Sequence, residues 1–328
     1  MKKAIYIFAA AALLLCLASC SEKKKSSLPS TSGKAGEIIV VTGKSQWSGE
    51  IGNALRHALA SDYGYLPQDE PRFDLMNVPA PGVTRIIKVH RNMVYVNVED
   101  TLKCNVTVRK DVWASPQTMV IITAPDEASA AEFITSKAEL IYKAFEKAER
   151  DRNMFAAQAF ENGALRKTVE SVYGGSPYFP ESYSLKKKTR DFIWISYETS
   201  FTTQGIFIYD FPYEGDFQLE KDYLVAKRDE VMKANVPATT EGSYMITNPQ
   251  IDAGFATVCY NGITRSEIRS LWDTHNDFMG GPFLQQAFRS KDGNSIIVVE
   301  GFVYAPKYNK RDYIRQVDGI ISTFHWSE

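Results

Sequence analysis

The pattern of apolar and polar positions divides the chain into short, mixed elements. Ile38-Ile39-Val40-Val41, bracketed by Gly36-Glu37 and Thr42-Gly43, reads as a first strand. Ser48 then caps a helix whose apolar stripe is Ile51, Leu55, Ala58 and Leu59. After a connection interrupted by Pro67, Pro71, Pro79 and Pro81, β-like runs at 85–90, 93–98, 106–109 and 119–122 predict an antiparallel meander.

The clearest helix begins at Thr123, where Thr123-Ala-Pro-Asp126 supplies a hydroxyl cap, a first-turn proline and a carboxylate. Ile134, Ala138, Ile141, Phe145 and Ala148 continue it at helical spacing, and Phe155 and Ala159 carry it on. One long helix over about 124–160 is expected, or two with a bend near Arg152, which stands where the stripe calls for an apolar residue. Gly174-Gly175 marks the boundary between two halves, 37–173 and 176–328. In the second half, strands are expected at 192–197, 205–210, Gly254–Tyr260 and 296–304, and a helix over 217–235. Two capping patterns, Thr264-x-x-Glu267 and Asn309-x-x-Asp312, predict two more helices. Strands and helices mixed without strict alternation place the fold in the α+β class, with mainly antiparallel sheets.

The N-terminus has a different logic. Lys2 and Lys3 precede an apolar run from Ala4 to Leu17, too short for a membrane span of about 20 residues but suited to a secretory signal. Leu17-Ala18-Ser19-Cys20 has the form of a bacterial lipobox, so residues 1–19 are expected to be removed and Cys20 acylated. Two or three acyl chains anchor stably where a single one does not. Residues 20–36 are rich in Ser, Lys, Gly and Pro and read as a flexible tether. The expectation is a body hung from envelope lipid through Cys20 and facing the periplasm, since the segment after Cys20 carries a single acid, Glu22, among lysines.

Composition changes this picture little. Lys plus Arg is 38 against 39 Asp plus Glu, a formal net charge of −1, which argues against a nucleic-acid partner. Thr42-Gly43-Lys44-Ser45 lacks the first glycine of a phosphate loop, because position 38 is Ile38. No GxSxG, HExxH or GxGxxG motif occurs, and no cofactor or metal is indicated.

Candidate residues remain. Asp273, His275 and Asp277 combine ligand types suited to a divalent ion, or else belong to a loop ending the Thr264 helix. Glu300 falls on the apolar face of its strand, so it must be paired, protonated or in a cleft. His57, His90 and His325 read as surface residues. Cys104 and Cys259 are available for a disulfide between the halves, the alternative being two buried thiols. The aromatic runs at 178–180 and 209–213 suit either core packing or a surface for stacking peptide or glycan.

The segment Glu300-Gly-Phe-Val-Tyr-Ala-Pro306-Lys-x-Asn-Lys310-Arg-Asp-Tyr-Ile-Arg-Gln316, with the lipobox, Trp47 and Pro282-Phe-Leu-Gln-Gln286, resembles an uncharacterised lipoprotein family of Bacteroidetes-type bacteria. That resemblance implies location and architecture and transfers no catalytic residue. The expectation from the whole sequence is a lipid-anchored envelope protein that binds a ligand, another envelope protein or a glycan. The rival is a hydrolase assembled from Glu300 with Asp210 or His275.

Overall fold

A computed structural model describes residues 28–327. The expected signal segment, the expected acylation site at Cys20 and the lysines at 23–25 lie outside the described residues.

The first half is built on a five-stranded sheet ordered β2-β1-β3-β5-β4. Its strands are β1 Glu37–Val41, β2 Asp74–Asn77, β3 Asn92–Val98, β4 Asn105–Lys110 and β5 Thr118–Ala124. The expected meander is corrected here: β1, β2, β3 and β5 run parallel, and β4 alone is antiparallel to its neighbour. Parallel neighbours need crossovers rather than hairpins. The run at 85–90, expected as a strand, supplies part of one crossover as the short helix α3 (Arg85–Lys88), preceded by α1 (Lys44–Ser48) and α2 (Glu50–Leu59). Ile51, Leu55 and Leu59 of α2 pack with Ile38, Val94 and Val120 in one core, as the stripe required.

The predicted long helix is two. Thr123 stays in β5, and Asp126 is the cap, accepting a hydrogen bond from the Ser129 N–H at 2.8 Å. α4 (Glu127–Ser136) ends at Lys137, and α5 (Ala138–Ala159) continues without a break through Arg152. Arg152 interrupts the stripe because its guanidinium serves a polar cluster: it donates to the Arg91 carbonyl at 2.8 Å and to Asn92 Oδ1 at 3.1 Å, and it pairs with Glu149 at 3.0 Å.

The second half carries an eight-stranded antiparallel sheet. Its path is β10 (Tyr244–Thr247), β12 (Ile263–His275), β13 (Gly280–Arg289), β14 (Ser295–Tyr304), β9 (Thr203–Pro212), β8 (Phe192–Glu198) and β7 (Ser184–Lys188), with β11 (Gly254–Tyr260) paired to β12. A two-stranded pair, β6 (Gly175–Ser176) and β15 (His325–Trp326), stands apart. Helices α6 (Gly163–Tyr173) and α8 (Arg311–Ser322) cover one face, and α7 (Lys221–Asn235) covers the other. The α+β assignment holds for the chain as a whole, whose larger sheet is antiparallel throughout, while the first half's sheet is mainly parallel.

The helix expected from Thr264-x-x-Glu267 is instead β12. That strand has β11 or β10 along one side and β13 along the other. Such long-range ladders outweigh a local cap of about 1 kcal/mol. Residues 29–33, assigned to the flexible tether, are held to the body. Ser32 donates to the Val89 carbonyl and accepts from the Arg91 N–H, both at 2.9 Å, and Ser115 donates to the Pro29 carbonyl at 2.9 Å.

α5 joins the two halves by crossing α8. A Cβ on Gly319 would come within 2.3 Å of Asn153 Cβ, so only glycine permits this approach.

Candidate functional site

Where α5 and α8 bring the halves together, a cleft of about 770 Å³ opens between α5 and β11. Tyr142, Glu146, Arg150 and Met154 line one wall, and Ala256 through Tyr260 line the other. Tyr63 and Tyr65 enter from the loop after α2, where Gly64 and Tyr65 both take positive φ.

Glu146, Arg150, Glu267 and Arg269 of the lining join Asp318 and Arg315 behind them in closed charge pairs. Asp318 of α8 is buried and accepts from Arg269 of β12 at 2.9 Å, from Arg150 of α5 at 3.3 Å and from Ser322 at 3.1 Å. Burial alone would raise its pKa, but the two guanidinium groups hold it below the usual carboxylate range. Asp318 in turn holds the Arg150 guanidinium above its ordinary value. Glu267 accepts from Arg269 at 2.8 Å and from Gln286 at 3.0 Å. Glu146 pairs with Arg315 at 3.2 Å and accepts from the Tyr63 hydroxyl at 3.4 Å. Burial, with the nearby Glu146 carboxylate, pushes the Tyr63 phenol well above its ordinary range. Glu146, Glu267 and Asp318 are thus each committed to an arginine, an arrangement that shapes and rigidifies the cleft, whereas Asp151, also in the lining, pairs only with Lys147 at 2.7 Å and Lys110 at 3.6 Å.

The residues singled out from the sequence lie elsewhere. Glu300 is fully buried on the α7 side of the large sheet and takes three bonds of 2.8–3.0 Å from Arg228. Arg228 also donates to Thr247 at 3.0 Å and lies 3.8 Å over the Phe283 ring. Of the three outcomes for Glu300, pairing is the one realised, and no cleft reaches it. Burial raises its pKa although Arg228 opposes the rise.

Asp273 accepts from Asn248, His275 packs on Tyr244, and Asp277 accepts from Thr240. Among the described residues no three His, Cys, Asp or Glu side chains converge on a metal position, so this run does not form one. The rival hydrolase set is not assembled either. Asp210 alternates with Tyr209 and Phe211 and so falls on the sheet face opposite Glu300, while His275 is exposed at the end of β12.

Cys104 and Cys259 are both free and both exposed, neither bonded nor buried. His90, expected at the surface, is buried under Gly33, with Nδ1 3.0 Å from the Asn92 carbonyl and Nε2 3.6 Å from Glu37. His325 is half-buried and stacked on Tyr178 with centroids 4.4 Å apart, whereas His57 is exposed as expected.

Sequence reasoning missed the cleft itself. The signal was present in Asn261-Gly262, the strongest short hairpin signature, whose positive φ values of 52° and 74° turn β11 into β12.

Comparisons with known proteins match the chain in two parts. Residues 31–157 match a family described as a domain of unknown function, DUF8532, and residues 162–323 match another, DUF4837. The junction falls at the end of α5. No curated protein matches the chain. A solved structure from Bacteroides thetaiotaomicron VPI-5482 aligns at 8% identity over 47% of this chain and 46% of its own length, with a TM-score of 0.27. A mutant of protein Mog1 aligns at 11% identity over 47% and 90%, with a TM-score of 0.32. The human StarD13 (DLC2) lipid transfer and protein localization domain aligns at 9% over 49% and 95%, with a TM-score of 0.22. Likenesses this low carry no argument about activity.

Proposed function

We propose that this chain is a lipid-anchored envelope lipoprotein of a Bacteroidetes-type bacterium, and that its body is a binding module working through the cleft between α5 and β11. The observation that carries the binding role is the floor of that cleft. Glu146, Glu267 and Asp318 are each held by arginine at 3.3 Å or less, while tyrosines and an exposed strand occupy the walls. The cleft offers fixed charge, aromatic surface and main-chain groups, which are the means of recognition. The anchor rests on the lipobox ending at Cys20.

Two measurements test this reading. Radiolabelled palmitate should mark the wild-type chain and not Cys20→Ala, and equal labelling of both would overturn the anchor. Amide exchange at 142–154 and 256–260 should be slower in envelope vesicles than in the detergent-purified chain. Identical exchange in the two preparations would overturn the binding role.

A further inference from the structure

Among the described residues β11 has a strand neighbour on one side only. Main-chain groups of an antiparallel strand point alternately to its two sides. The two-residue turn at Asn261-Gly262 makes Tyr260 and Ile263 a hydrogen-bonded pair. Counting back from Tyr260, Val258 and Ala256 bond toward β12, and Phe255, Thr257 and Cys259 direct N–H and C=O away from it. Among the described residues these three have no further main-chain partner.

The other sheet edges are guarded by the usual devices. β7 ends in Lys186-Lys187-Lys188, and β4 ends in Arg109-Lys110. β2 is only four residues long. β10 is closed by a bridge to Pro237 and by the Met245 N–H donating to the Val236 carbonyl at 3.1 Å. β11, with the sequence Gly-Phe-Ala-Thr-Val-Cys-Tyr, carries no charge and no proline. Its guard is position: it forms the wall of a cleft faced by α5.

We infer that the occupant of this cleft is an extended polypeptide segment that adds to β11 as a further strand. This rests on the cleft being a binding site and names the class of partner. Strand addition takes affinity from the main chain and specificity from alternate side chains. A glycan presents no row of donors and acceptors repeating every two residues, about 7 Å, and so cannot complete the ladder. The geometry also sets the length. Tyr65 lies over Gly254, where a Cβ would come within 2.6 Å of its hydroxyl, so pairing starts at Phe255. From there to Tyr260 is six residues, about 20 Å of extended chain.

The charge of the partner follows from the facing helix. Lys143 and Lys147 stand exposed on α5 beside the cleft, held only by surface pairs to Glu139 at 3.2 Å and Asp151 at 2.7 Å. Such pairs are weak and exchangeable. An acidic side chain on the incoming segment is the complementary group.

The test uses the full chain in detergent with two probes: an array of random ten-residue peptides and soluble peptidoglycan fragments. The expected result is binding of extended, acid-containing peptides. N-methylation of alternate peptide amides should weaken that binding at least about tenfold. Thr257→Pro, which removes an outward N–H without breaking the β12 ladder, should do the same, while Thr257→Val leaves binding intact. Unchanged melting temperature in Thr257→Pro separates loss of the edge from loss of fold, and Lys143→Ala with Lys147→Ala checks the charge preference without touching the strand. Peptide binding insensitive to N-methylation would overturn strand addition. Binding of peptidoglycan fragments alone would overturn it while leaving the binding module standing, and binding of neither probe would remove both.

Discussion

The Glu70 carboxylate accepts the backbone N–H of Arg311 at 3.0 Å and that of Lys310 at 2.6 Å, across 241 and 240 residues of chain. The N-terminus of α8 is therefore capped by the other half of the molecule. Asn309-x-x-Asp312 correctly announces this helix but does not cap it, since Asp312 turns to Arg311 Nε at 3.0 Å instead. A carboxylate at a helix N-terminus satisfies orphan donors and meets the positive end of the dipole. Glu70→Ala should lower unfolding free energy by about 1–2 kcal/mol, whereas Asn309→Ala should change it by less than about 0.5 kcal/mol. Urea denaturation of both variants distinguishes the two caps, and equal losses would contradict the assignment.

Asp318 is the point where α5, α8 and β12 are tied together by charge. Asp318→Asn leaves Arg150 and Arg269 facing a neutral group and should cost about 3–5 kcal/mol. In the folded chain this carboxyl is lowered from its ordinary value of 3.8 to about 2. The unfolded chain thus takes up the proton first, so the stabilisation is complete above about pH 4 and is lost as pH falls through about 2. Acid unfolding of Asp318→Asn should lack the part of the pH dependence seen in that window.

Glu300 and Arg228 form a pair with both side chains fully buried. Removing one charge strands the other, so Glu300→Gln should destabilise by about 3–5 kcal/mol. Replacing both, as Arg228→Met with Glu300→Leu, should recover most of that loss, because desolvation of the pair disappears with its attraction. Binding at the cleft should be unaffected in every folded variant, since neither residue lines it. Chemical denaturation with a double-mutant cycle reads the stability terms, and a binding defect in the folded double variant would revive Glu300 as a site residue.

Cys104 and Cys259 should both react with N-ethylmaleimide in the native protein, as exposed free thiols. Mass spectrometry of the two cysteine-containing peptides measures this directly. A linked pair, or protection of both until denaturation, would contradict the structure. Peptide occupying β11 should slow labelling at Cys259 and leave Cys104 unchanged.

Where a side chain's role was settled within a few residues, reading the chain was enough. The stripe of Ile51, Leu55 and Leu59, the β-branched run of β14 and the apolar position of Glu300 all became what their spacing implied. Arg152 and Thr264 show where that ends. Arg152 signalled an irregularity, but its reason lies in Asn92 and Arg91, some 60 residues earlier. Thr264 satisfied a helix cap locally and still became strand, because β11 and β13 were available to pair with it.

The cleft belongs to this second kind. Glu146, Arg150, Glu267, Arg269 and Asp318 come from three distant segments, and each alone reads as an ordinary surface charge. Apart from Glu267 with Arg269, two residues apart on β12, their partners are defined only once α5 crosses α8 at Gly319, an approach decided by the volume of two helices meeting in space. Periodicity fixes which face of an element turns inward, and the anchor proposed at Cys20 rests on a motif of four adjacent residues. Which elements then face one another depends on the sum of many long-range contacts, and that sum alone opened β11 to the cleft.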